Sequence, residues 1–161
     1  MQTSTPQAAA ATKARDLIPA EAFAGVAATV LDNNQGMDQA LAERITEEAI
    51  KFVATCAAFP GRGLRPSRIV DEGWHALILH TTVYQRLCRS EGGFVHHVPE
   101  RPDPSRHNPG ELERTKDAIR EAGFSVDEML WLAPTDTTIS VAADCEHTGG
   151  NCANCMDGGS N

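Results

Sequence analysis

Apolar residues recur along this chain at helical spacing, broken at intervals by Gly, Pro and Asn. After Leu17-Ile18-Pro19, the residues Phe23, Val26, Ala27 and Val30 repeat with the period of one helix face. Pro19 suits the first turn of that helix, and Asn33-Asn34-Gln35-Gly36 ends it. A second helix is predicted from about Met37 to Phe59. Leu41, Ile45, Ala49, Phe52, Val53 and Cys56 share its apolar face, while Glu43, Arg44, Glu47, Glu48 and Lys51 fall largely off it. Pro60-Gly61-Arg62-Gly63 breaks the chain again. A third helix starts at Pro66-Ser67, with Ser67 as a cap, and runs to about Ser90. It carries one stripe of Val70, Trp74, Leu77, Thr81, Tyr84 and Cys88 and a second row of Ile69, Ala76, His80 and Leu87. So wide an apolar arc predicts the central helix of the fold.

Beyond Gly92-Gly93 the pattern weakens. Phe94 to Pro99 reads as an extended link, and residues 100–109 as a proline-rich loop. A polar helix follows over Gly110–Ala122, with Leu112, Ala118 and Ile119 as its few apolar contacts. Ser125 is placed to cap a short helix from Val126 to Leu132. The whole predicts a mainly α fold, a single small helical domain of about four to five helices over residues 17–132. Residues 1–16 read as a disordered leader. Residues 133–161 read as a flexible Cys/Gly-rich tail that cannot build an apolar core by itself.

Composition narrows the function classes. With 161 residues the chain can bury a core without a disulfide scaffold. The formal net charge is −8, from 14 Lys and Arg against 22 Asp and Glu. It is unevenly placed, because every basic residue lies at or before Arg120 and residues 121–161 carry seven acids and no base. The one basic run, Arg62, Arg65 and Arg68, is too thin for the counterion displacement that nucleic-acid binding needs. The apolar stretches fall short of the roughly 18–20 residues of a membrane span. Met1 to Ala11 holds no Lys or Arg and no apolar core of a secretory signal, which predicts a cytoplasmic protein. In that compartment the five cysteines are expected as thiols or metal ligands.

Two residue clusters carry candidate chemistry. The tail holds Cys145, His147, Cys152 and Cys155 in the pattern C-x-H-x4-C-x2-C. Zinc takes four such ligands tetrahedrally, and Cys₃His is a standard structural set. Gly149-Gly150 supplies a flexible return between the ligand pairs, and binding would order the segment. The second cluster lies in the helical domain. Asp71 and His75 are one turn apart on the third helix, so their side chains share a face. His96 and His97 follow a glycine turn and can fold back onto that helix. One carboxylate with two imidazoles suits a divalent metal with an open position. His80 sits about 140° round the helix from His75 and is set apart from that group. Against these readings stand a tail that merely contains cysteines, a redox or disulfide role for it, and a hydrogen-bonded, purely structural Asp/His group.

The stretch Val70-Asp71-Glu72-Gly73-Trp74-His75, with Leu79-His80-Thr81, Tyr84, Cys88 and Gly93-Phe94-Val95-His96-His97-Val98-Pro99, resembles a group of uncharacterised bacterial, chiefly actinomycete, proteins known as glycine-rich-domain-containing-like. The resemblance extends over roughly residues 17–155 and is most specific at Asp71/Trp74/His75 and His96/His97. Those proteins also tend to end in a Cys-rich tail with C-x2-C elements. The glycine-rich run of their plant counterparts is absent here. The resemblance implies a mainly helical fold and supplies no activity.

The sequence thus predicts a small soluble metal-binding accessory protein without turnover. Zinc sits on Cys145, His147, Cys152 and Cys155, and a protein partner is open. The alternatives are a metalloenzyme built on Asp71, His75, His96 and His97, and the leader-plus-core precursor of a modified peptide. A metalloenzyme requires Asp71, His75 and His97 to lie within about 8 Å of one another beside a cleft, since zinc–ligand bonds are only ~2.0–2.2 Å.

Overall fold

A computed structural model describes residues 13–99, 105, 108–133 and 136–142. Among the described residues the main elements are five α-helices and two short 3-10 turns. A 3-10 turn at Ala14–Leu17 leads into α1 (Ala20–Asn33). Pro19 precedes its first turn, and the buried face is Phe23, Val26, Ala27 and Val30, as the periodicity requires. Asn34 closes α1 from inside the fold, its side-chain amide donating to the Val30 carbonyl at 2.7 Å and to Glu72 Oε1 at 2.8 Å. Gly36 takes a φ of 84°, which lets the chain reverse there. Asp38 then caps α2 (Gln39–Ala58), its carboxylate accepting from the Leu41 amide at 2.7 Å.

The central helix is α2, not the third helix that the width of the apolar arc predicts. It packs against α1, α3, α4, α5 and the first 3-10 turn, and it is buried on nearly every side from Ile45 to Ala57. The reason lies in charges that the sequence pattern assigns to water. Lys51 donates to Glu48 at 2.8 Å, and both side chains are buried. The other Glu48 oxygen accepts the Trp131 indole N–H at 2.9 Å and the Asp127 amide at 3.2 Å. Paired in this way, the polar face of α2 is covered by the chain around residues 127–131 rather than by solvent.

The predicted third helix divides in two. Ser67 caps α3 (Arg68–Leu79), accepting from the Val70 amide at 3.1 Å and donating to the Leu130 carbonyl at 2.5 Å. The helix stops at His80, where ψ swings to 65°, and α4 (Thr81–Glu91) starts in a new direction. A tertiary contact explains the break. His80 Nε2 lies 2.9 Å from Thr29 Oγ1 on α1, and the imidazole sits over Gly25. Thr81, Thr82 and Val83, all β-branched, then open α4, and Thr81 leaves the apolar stripe for the surface.

After α4 the segment 94–99 is extended. Asn108 caps α5 (Pro109–Glu121), which buries Thr115, Ala118 and Ile119. The expected helix over Val126–Leu132 shrinks to a 3-10 turn at Glu128–Leu130 with no side-chain cap. Its backbone is bound elsewhere, the Asp127 amide by Glu48 and the Leu130 carbonyl by Ser67. No helix among the described residues is long and apolar enough to cross a membrane.

Candidate metal centre

The Asp/His group predicted on the third helix assembles where α3 faces the extended segment. Asp71 lies in the first turn of α3 and its side chain is 0% exposed. His75 follows one turn later on the same face. His97 arrives from the 94–99 segment and turns its ring inward, with its side chain 11% exposed. Three distances close the triangle. His97 Nε2 is 3.1 Å from Asp71 Oδ1, His75 Nε2 is 3.4 Å from Asp71 Oδ2, and the two Nε2 atoms are 2.7 Å apart. One ligand atom from each residue can be chosen so that all lie within 4.8 Å of one another, and the group could hold a metal ion.

Neighbouring contacts set this geometry. The Tyr84 hydroxyl donates to the Val95 carbonyl and accepts the Trp74 indole N–H at 3.0 Å. That link ties the extended segment to α3 and α4 two residues before His97. Trp74 then meets the His97 ring edge-on, with centroids 4.5 Å apart. Trp74 is itself locked against Phe52 of α2 at 5.1 Å. The Trp74 N–H goes to Tyr84 rather than to Asp71 on the same helix. Tyr84 enters the sequence reading as an apolar stripe residue and as part of the family resemblance, with no partner assigned to it. Its positioning role depends on a partner 11 residues away, which no helical period reveals.

The other histidines separate cleanly. His96 is exposed and rests on Phe94, with ring centroids 4.8 Å apart, so it takes no part in the group. Consecutive side chains of an extended segment point to opposite sides, and His97 is the one that faces inward. His80 stands apart, held by Thr29. The tail residues Cys145, His147, Cys152 and Cys155 lie outside the described residues. Cys56 and Cys88 are buried in the core.

Two neutral imidazoles cannot both point lone pairs at each other across 2.7 Å without repulsion. Either one ring carries a proton between them, or a cation sits where the lone pairs and the carboxylate converge. Ligand atoms around a zinc-sized ion at bond lengths of ~2.0–2.2 Å are spaced by about 2.8–3.6 Å across octahedral and tetrahedral arrangements. The observed 2.7, 3.1 and 3.4 Å need only a slight spreading of the two rings to meet that spacing. Three protein ligands leave at least one position for water or another ligand. Asp71 is sealed beneath, so that position faces outward past His75, whose side chain is 30% exposed. There an open cleft of about 450 Å³ is lined by His75, Ile78, Leu79, His97 and Pro99.

The arginine run is tied to the fold. Arg62 pairs with Glu121 at 2.6 Å, Arg65 with Glu111 at 2.9 Å, and Arg68 donates to the Ile139 carbonyl at 3.3 Å. These contacts draw the run's guanidinium groups toward the protein rather than gathering them on one basic face.

No curated protein and no solved structure matches the chain. A family model, UCP032817-like, matches residues 15–114, a stretch that spans α1 to α4 and all three residues of the Asp71/His75/His97 group. The chain belongs to the UCP032817-like family.

Proposed function

We propose that this chain is a divalent-metal protein whose ion is held by Asp71, His75 and His97, with a coordination position left open toward the surface. One observation carries the reading: two imidazole Nε2 atoms and a fully buried carboxylate converge on one point beside an open cleft. A buried carboxylate facing two imidazoles is costly to maintain without a positive charge between them. Zinc is the proposed ion, because two imidazoles and a carboxylate are among its usual ligands. Three protein ligands and an accessible fourth position form a catalytic rather than a structural zinc pattern. This supports the metalloenzyme alternative over an accessory protein. The likeness to glycine-rich-domain-containing-like proteins adds no reaction to it. A zinc held by Cys145, His147, Cys152 and Cys155 in place of the core site is the other reading, favoured by four soft or borderline ligands within eleven residues.

Elemental analysis of anaerobically purified full-length chain tests both. The comparison uses wild type, H75A/H97A and C145S/C152S/C155S, each checked for helical content by circular dichroism. One zinc per chain in wild type and in the cysteine variant, lost from a folded H75A/H97A, is the expected result. Zinc lost from the cysteine variant and kept by H75A/H97A assigns the ion to the tail and removes the core site. Metal-free protein throughout sinks both readings.

A further inference from the structure

Among the described residues four large apolar side chains are exposed, and three of them lie near the Asp71/His75/His97 group. Leu79 is 67% exposed, Val98 40% and Phe94 39%; Met129 is the other. Leu79 ends α3 one turn after His75, and Phe94 and Val98 flank His97 in the extended segment. Exposed leucine and valine side chains are unremarkable singly, but grouped at the mouth of a polar site they point to a ligand. Two depressions meet there and share Ile78 and His97. One is the cleft of His75, Ile78, Leu79, His97 and Pro99. The other, about 480 Å³, runs past Tyr84, Phe94 and His96. The first holds both imidazoles of the candidate centre and is walled otherwise by Ile78, Leu79 and Pro99. Among the described residues, neither lining contains an Arg or Lys.

Charge fixes the complementary head group. A divalent ion with one carboxylate and two neutral imidazoles carries a net charge of +1. Its open position therefore favours a monoanionic oxygen donor. A phosphate monoester brings about two charges at neutral pH and calls for Arg or Lys partners, and none stands among the described residues of this cleft. Beyond the head, the side chains of Ile78, Leu79 and Pro99 offer apolar contact. We infer that the open position binds a small monocarboxylate with an apolar body, the carboxylate on the metal and the hydrocarbon along Leu79, Ile78 and Pro99. This inference rests on the metal reading above and names the ligand class for that site.

The test uses the full-length chain loaded with cobalt(II), whose visible spectrum responds to a new oxygen ligand. Cobalt content is measured first. Acetate, butyrate, hexanoate and octanoate are then titrated, with inorganic phosphate in parallel. Affinity is expected to rise by roughly four-fold for each methylene that the cleft buries, the transfer preference of one CH₂. Phosphate is expected to bind more weakly than hexanoate. Leu79→Asn should flatten the rise in affinity from butyrate to octanoate. A cobalt-loaded chain with a flat series, or one that prefers phosphate, overturns the ligand class and leaves the metal site standing. A chain that takes up no cobalt overturns the metal reading and this inference with it.

Discussion

The Tyr84 hydroxyl stands between the two groups that orient His97. It takes the Trp74 indole N–H and gives its own proton to the Val95 carbonyl. Tyr84→Phe keeps the ring and deletes both bonds, leaving a buried N–H and a buried carbonyl unmet at a cost of about 1–3 kcal/mol. Metal affinity should fall roughly ten-fold, the smaller end of what supporting hydrogen bonds around a centre are worth. A pH signature separates this from plain packing. Burial, with a smaller push from Cys88, raises the Tyr84 phenol well above its ordinary value. Above pH ~10 the unfolded chain loses this proton while the folded chain keeps it. The folded state then binds more protons than the unfolded one, so stability present below pH ~10 falls as pH rises further. Urea unfolding of wild type and Tyr84→Phe at pH 8 and about 11 should show a steeper alkaline loss in wild type. Equal slopes would remove Tyr84 from that role. The sequence shows Asp71 and His75 as a pair because a helical turn is a local relation. It leaves His96 and His97 undecided, because the choice depends on Tyr84 holding Val95 across the fold.

Helix α3 reaches α2 through a glycine. A Cβ added at Gly73 would lie 2.7 Å from the Ile45 carbonyl oxygen, 2.8 Å from the Ala49 Cβ and 2.9 Å from Ile45 Cγ2. Intrinsic propensity favours alanine over glycine inside a helix by about 1 kcal/mol. The contact with α2 backbone reverses that sign, since a carbonyl cannot move aside as a side-chain tip can. Gly73→Ala should therefore destabilise the chain by about 1–3 kcal/mol in urea unfolding, the usual cost of overpacking. Because Gly73 lies between Asp71 and His75, the same displacement should weaken metal retention. A variant as stable as wild type would mean that α3 is not seated as closely as this. The sequence displays the apolar faces of α1 and α2 because amphipathic periodicity is written into a single helix. It does not display the break at His80 or the burial of Glu48 and Lys51. Both are set by partners on distant elements, Thr29 in one case and Trp131 with Asp127 in the other. The same cause reduces the predicted Val126–Leu132 helix to one turn, as tertiary hydrogen bonds displace the helical ones.

At the scale of the molecule, the candidate centre joins parts that the chain keeps apart. His75 and His97 are 22 residues distant in sequence, and all of α4 lies between them. An ion bound by both would close that loop, and it would bind the folded chain far better than the unfolded one. Binding of that kind raises stability by mass action, about 2.7 kcal/mol at a free metal concentration of one hundred dissociation constants. For a chain of this size that is a rise of roughly 5–10 °C in melting temperature. Zinc added to metal-stripped full-length protein should produce this shift. H75A/H97A should abolish it, and C145S/C152S/C155S should keep it. The contrast follows from where each ligand set lies. The histidines bridge α3 to the extended segment inside the helical core, so their ion is coupled to global unfolding. Cys145, His147, Cys152 and Cys155 span eleven residues of sequence, after the last helical turn among the described residues. An ion held by them alone closes a short local loop, which adds little to the stability of the core. A shift that survives H75A/H97A and vanishes in the cysteine variant would tie the tail to the core and refute the helical site.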